Sequence, residues 1–185
     1  MAFEGASPYE QLVYAAKHEN SELAAKVLSE LGGTKDTQMV NMLDSRGLAP
    51  LHHAVLSKSD DVFEKLLQYE HTDIDVATDT RNRLLSNVET RSTALHLACA
   101  IENVGKCGWY VQELVDAGAQ TEATDGRQRR PADILEERKR GESAETQEAL
   151  DEILELVNTE TAQHTLAAGL QLDEEDEESS GGESE

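Results

Sequence analysis

The amino-acid sequence predicts an all-α chain: helix-turn-helix units joined by hairpin loops, followed by an acidic tail without fixed structure. Three observations carry this expectation. The phrase Leu48-Ala49-Pro50-Leu51-His52-His53-Ala54 returns as Ser92-Thr93-Ala94-Leu95-His96-Leu97-Ala98. Around both copies, short apolar runs at helical spacing come in pairs. The end of the sequence, Asp173 to Glu185, is built from Asp, Glu, Ser and Gly alone. Such a segment buries too little surface to offset the entropy of ordering.

A small residue followed by Pro-Leu-His-x-Ala resembles the opening of the first helix of an ankyrin repeat. The resemblance implies a solenoid of about four repeats, each burying its apolar face only by stacking on its neighbours. It also implies a long concave surface that binds other proteins. Repeats of this family recur at about 33 residues, and His52 and His96 stand further apart than that by roughly eleven. The excess belongs at Thr80 to Thr90, because the preceding repeat runs from Asp44 through a second helix, Val62 to Leu67, into the extended Thr72 to Val76. Long connections in compact domains are usually functional or disordered. Arg81, Arg83, Leu84 and Leu85 make this one basic and apolar, suited either to touch a partner or to be tolerated as a loop.

The elements follow in order. Ser7 and Pro8 are a helix-start pair. Leu12, Ala15 and Ala16, then Leu23, Val27, Leu28 and Leu31, give two amphipathic helices around the turn His18 to Ser21, which the resemblance makes a capping repeat over about residues 7–40. A complete repeat spans 44–76. A repeat with insertions spans 80–119: its first helix starts near Thr93, Gly105 and Gly108 interrupt helix before the second, and Gly118 supplies a left-handed stop. A degenerate capping repeat spans 121–158, with Pro131 and Ile134 kept, Asp133 in place of the histidine, and a last helix from Glu145 to Val157. The repeat domain is thus 1–158 and the linker with its acidic tail 159–185; Thr159 to Leu172 reads as a short helix or an unbound docking segment.

Composition narrows the function. The chain has 185 residues, 38% of them apolar, enough for one modest core. Its net charge of −22 disfavours direct binding to nucleic acid, which needs clustered Lys and Arg. Negative charge instead speeds encounter with basic protein surfaces, or simply maintains solubility. No apolar run is long enough to span a bilayer, and the start lacks a signal-peptide pattern, so the expected location is cytoplasmic, with the nucleus also open. Cys99 and Cys107 are expected as reduced thiols.

No Gly-rich phosphate loop, Gly-x-Ser-x-Gly elbow or His-Glu-x-x-His pattern is present, so the sequence predicts no enzyme and no cofactor. Without paired Cys or His spacing it predicts no metal. The resemblance assigns His52 and His96 to hydrogen bonds with the loop between repeats, and leaves His53 less explained. By position it assigns protein contact to Lys17 and His18 in the first repeat, to Ser45, Arg46, Leu48, His53, Leu56 and Ser57 in the second, and to Glu89, Thr90, Ser92, Ala100 and Ile101 in the third. Arg127, Arg129 and Arg138 complete the surface in the last. Arg91 and Gln128 stand where the family has a hairpin Gly. Trp109 is either an exposed anchor or a core residue. The basic run Arg127 to Arg130 reads as a localisation patch, as arms balancing nearby acids, or as a seat for the acidic tail.

Two functions fit. One is a monomeric chaperone or escort for a basic client, similar to ankyrin-repeat chaperones of ribosomal proteins, with the tail shielding the client. The other is a regulatory adaptor or inhibitor in signalling or transcription that binds a folded partner, with Ser179, Ser180 and Ser184 open to an acid-directed kinase.

Overall fold

The computed structural model describes residues 5–33, 37–79 and 88–175, with side chains up to residue 159. Among these residues the protein is all-helical, with no strand. The helices are α1 (Pro8–His18), α2 (Ser21–Gly32), α3 (Pro50–Ser57), α4 (Asp60–Leu67), α5 (Ala94–Cys99), α6 (Val104–Asp116), α7 (Pro131–Lys139) and α8 (Ala144–Glu175); a short 3-10 turn, Thr37–Asn41, follows α2. They pack as antiparallel pairs, α1 with α2, α3 with α4, α5 with α6 and α7 with α8. The first helices α1, α3, α5 and α7 lie side by side in chain order, while α2 touches α4 and α6 touches α8. One core runs between the two layers, from Leu12 and Val27 through Leu51, Phe63, Leu95 and Leu114 to Leu135 and Leu150.

One local device starts every first helix. The backbone turns left-handed at Gly5 (φ 96°), Gly47 (77°), Arg91 (59°) and Gln128 (61°). Two residues later comes the N-cap, at Ser7, Ala49, Thr93 and Arg130. Pro8, Pro50 and Pro131 follow it, their fixed φ suiting the first helical position. Two residues further on, a side chain reaches back to accept the N-cap N–H: Glu10 Oε2 at 2.8 Å, His52 Nδ1 at 3.0 Å, His96 Nδ1 at 3.2 Å and Asp133 Oδ2 at 2.7 Å. Asp133 therefore does the capping work of the two histidines.

Arg91 and Gln128 hold the left-handed turn without being glycine, at about 1–2 kcal/mol each. Part of this would return as unfolded-chain entropy on substitution by Gly. Arg91→Gly and Gln128→Gly should each raise stability by up to about 1 kcal/mol, read as a higher thermal midpoint.

Two expectations are corrected. Gly105 and Gly108 do not interrupt the chain, since α6 runs through both. Asn103 caps it by accepting the Lys106 N–H at 2.8 Å, and Gly108 lets α8 approach, because a Cβ there would stand 3.4 Å from Ile153 Cδ1. The last helix does not stop at Val157 but continues to Glu175, taking in Asp173 to Glu175 from the expected tail. No proline occurs in that stretch, and Ala, Leu, Gln and Glu propagate helix past the single Gly169. The expected tail residues 176–185 lie outside the described residues, as do Arg81, Arg83, Leu84 and Leu85.

Gly118, with φ 88°, ends α6 as expected. Its neighbour's amide, Ala119 N–H, donates to the Leu114 carbonyl at 2.9 Å.

Candidate functional site

The loops before α3, α5 and α7 are built on polar groups, half-buried at Asp44 and buried at Thr78 and Asp125. Asp44 Oδ1 accepts the amides of Arg46 (2.8 Å) and Leu48 (3.0 Å), and its Oδ2 meets His53 Nε2 at 2.8 Å. Asp125 repeats the pattern with the amides of Arg127 and Arg129 and adds the Arg129 guanidinium at 2.8 Å. Burial pulls both carboxyls upward, but these donors hold them below the usual range. The middle loop has no such Asp, and Thr78 takes the part. Its hydroxyl oxygen accepts the Ser92 amide (2.9 Å) while the hydroxyl donates to the Glu89 carbonyl (2.8 Å), and its own carbonyl accepts the Arg91 amide (2.8 Å). Thr78 thus ties the chain before residue 80 to the stretch from Glu89 to Ser92.

His52 and His96 tie each unit to the loop beyond it, as expected. His52 Nδ1 accepts the Ala49 amide, so Nε2 carries the proton and donates to the Val76 carbonyl at 3.0 Å. His96 does the same between Thr93 and the Arg129 carbonyl at 3.0 Å. Burial holds both rings neutral, His52 with a pKa lowered to about 4.

The first helices leave a concave cavity of about 300 Å³ between α3, α5 and α7. Its floor is Val55, Leu97, Ile101 and Ile134, with Leu56, Val88 and Ala100 beside them and Lys58, Glu89, Glu102 and Arg129 at the rim. Leu56, Glu89, Ser92, Ala100, Ile101 and Arg129, all assigned to protein contact from sequence, line this one cavity. Lys17, His18, Ser45, Arg46 and Ser57 are exposed. Thr90 is half-buried, and its carbonyl accepts the Gly126 amide at 2.7 Å.

Other assignments need correction. Leu48 (2% exposed) and His53 (3%) are core residues, His53 being held by Asp44. Ser92 and Ile101 are also largely buried and reach a partner only through the cavity that they line. Arg138 is not a free arm, for its guanidinium donates to the carbonyls of Cys99 (2.7 Å) and Glu102 (3.1 Å) and lies 3.4 Å from Cys107 Sγ. Trp109 is half-buried against Phe63 at 5.7 Å, with the Lys106 ammonium 5.9 Å from the ring centre, and takes no part in the cavity. The basic run is paired with acids: Arg127 with Glu89 (2.7 Å), Arg129 with Asp125 and Glu137 (2.9 Å), Arg130 with Glu122 and Asp133 (both 3.3 Å).

Sequence reasoning missed Tyr14, Lys58, Val88 and Glu102. Tyr14, Leu56 and Ala100 each stand four residues beyond the side chain that caps their helix, so a register counted from Glu10, His52 and His96 finds them.

Cys99 and Cys107 are free and buried, and burial pushes both thiols up, so neither is an activated nucleophile. Among the described residues no group of three or more His, Cys, Asp or Glu is placed to hold a metal ion. Among them no helix is long and apolar enough to cross a membrane. Neither a family model nor a curated protein matches this chain.

Proposed function

We propose that this protein is an ankyrin-type interaction module without catalysis of its own, acting as a chaperone or escort for a basic client such as a ribosomal protein. The observation that carries the reading is the concave cavity. Six residues assigned to partner contact from the repeat phrases converge on it, between helices started by one recurring device. Charge supplies the client's sign: 38 Asp and Glu against 16 Lys and Arg favour a basic surface. The acidic helix extends this bias, since α8 has no Lys or Arg from Ala144 to Glu175.

Affinity purification of the tagged protein from its own cells, at low and at high salt, tests the proposal. A single strongly basic partner, retained at low salt and shed at high salt, is the expected result. A neutral partner indifferent to salt would overturn the client reading. Removing Asp173 to Glu185 should weaken the complex and flatten its salt dependence, because long-range attraction between exposed charges is what salt screens.

A further inference from the structure

The exposed apolar groups of the first helices form a ladder. Tyr14 (40% exposed) on α1 and Leu56 (43%) on α3 are two of the three large apolar side chains left exposed among the described residues. Ala100, just past the end of α5, occupies the same register and is also exposed. The cavity flanked by Leu56 and Ala100 opens between two of these rungs.

The pitch of the ladder selects the shape of its occupant. Packed helices lie about 8–10 Å apart. In an extended peptide, side chains on one face recur every second residue, at about 6.6 Å or 13 Å, and the residue about 10 Å along points the other way. In an α-helix, residues i and i+7 are about 10.5 Å apart and share a face. We infer that this groove docks an amphipathic, basic α-helix of a partner protein, lying across α1, α3 and α5 with apolar residues at i, i+7 and i+14 over Tyr14, Leu56 and Ala100. This rests on the proposed reading of a basic client and adds the form in which the client is held.

The rim itself is close to balanced, so the sign of the partner follows from the charge of the whole chain. Glu102 follows the end of α5, while Glu89, in the loop before α5, is paired with Arg127 at 2.7 Å and Arg129 is engaged by Asp125 and Glu137. Lys58 is the cation at the rim outside these ion pairs, and the net charge of −22 governs the approach. One large apolar side chain seated in the cavity would be the central anchor, the usual place for most of the binding energy.

Two fluorescent peptides of identical composition, rich in Lys and Ala with three Leu, separate shape from charge. One carries Leu at i, i+7 and i+14 on a helical background, and the other carries the same Leu at alternate positions. Binding to the full chain is read by anisotropy, and its location by amide chemical shifts. The helical pattern should bind at least about tenfold tighter, a difference of about 1.4 kcal/mol, with shifts centred on Tyr14, Leu56 and Ala100. Leu56→Glu and Ala100→Glu should each abolish that preference, and the milder Leu56→Ser should reduce it, with unchanged thermal midpoints. Equal affinity for both peptides, or a preference that survives these substitutions, overturns the helical groove and leaves the basic-client reading standing. A strong helical preference together with a neutral partner in cells would retain the groove and remove the client.

Discussion

Lowering the pH from 6.5 to about 4 should cost the fold about 3 kcal/mol through His52 alone. The ring is neutral because its Nδ1 already accepts the Ala49 amide while Nε2 donates to the Val76 carbonyl. A second proton would sit on Nδ1 facing that N–H, inside the core. Burial accordingly lowers the pKa from 6.5 in the unfolded chain to about 4. Between those values the unfolded chain binds the extra proton, so stability rises with pH through the window and is lost as pH falls. Each unit of difference is worth about 1.4 kcal/mol. His53 and His96, lowered mainly by burial, act in the same direction. Asp44, Asp60, Asp125 and Asp133, held low by their donors, extend the loss below the ordinary carboxylate range, while the raised Asp75 opposes it. Urea unfolding at pH 7 and near pH 4.5 measures the slope, and His52→Gln should flatten it while lowering stability at neutral pH. A His52→Gln chain with the wild-type pH slope would show that the ring does not titrate in this window.

How far the sequence could be read depended on the range of each interaction. The Pro and Ser of helix starts were legible because their roles are set within three residues, and the ties of His52 and His96 to the loop beyond because the repeated phrase carries them, whereas the capping role of the same two rings was missed. Gly105 and Gly108 misled because propensity describes an isolated helix, whereas Asn103 caps α6 and Ile153 needs the space at Gly108. Tertiary demand outweighed about 1 kcal/mol per glycine. The groove was half legible. Positional transfer found Leu56 and Ala100, but it could not separate them from Leu48 and His53, because burial is decided by a neighbouring element: Asp44 turns His53 inward. Tyr14 escaped because the first unit lacks the repeated phrase, and its left-handed Gly5 carries no distinctive neighbours in sequence.

Arg138 was legible as a charge but not as a tie. The short helix α5 ends with carbonyls that have no partner within the helix. One face of the Arg138 fork covers the Cys99 carbonyl at 2.7 Å and the other the Glu102 carbonyl at 3.1 Å, with Cys107 Sγ alongside. A cation at a helix C-terminus also meets the negative end of its dipole. Arg138→Met keeps the aliphatic stem and removes the fork, leaving the buried Cys99 carbonyl with only the weak Cys107 thiol as donor, at a cost of about 2 kcal/mol. Arg138→Lys should recover less than half, because a single ammonium cannot span both carbonyls as a planar fork does. Since Ala100 and Ile101 lie between the two tied carbonyls and line the cavity, the Met variant should also weaken groove binding more than its lost stability predicts. Urea midpoints for the Met and Lys variants, with peptide affinity measured where each is still fully folded, test both parts. Equal stability of the Lys variant and wild type would reduce the residue to a point charge. Unchanged peptide affinity in a destabilised Met variant would confine Arg138 to the fold and leave the groove edge held by α5 and α6 alone.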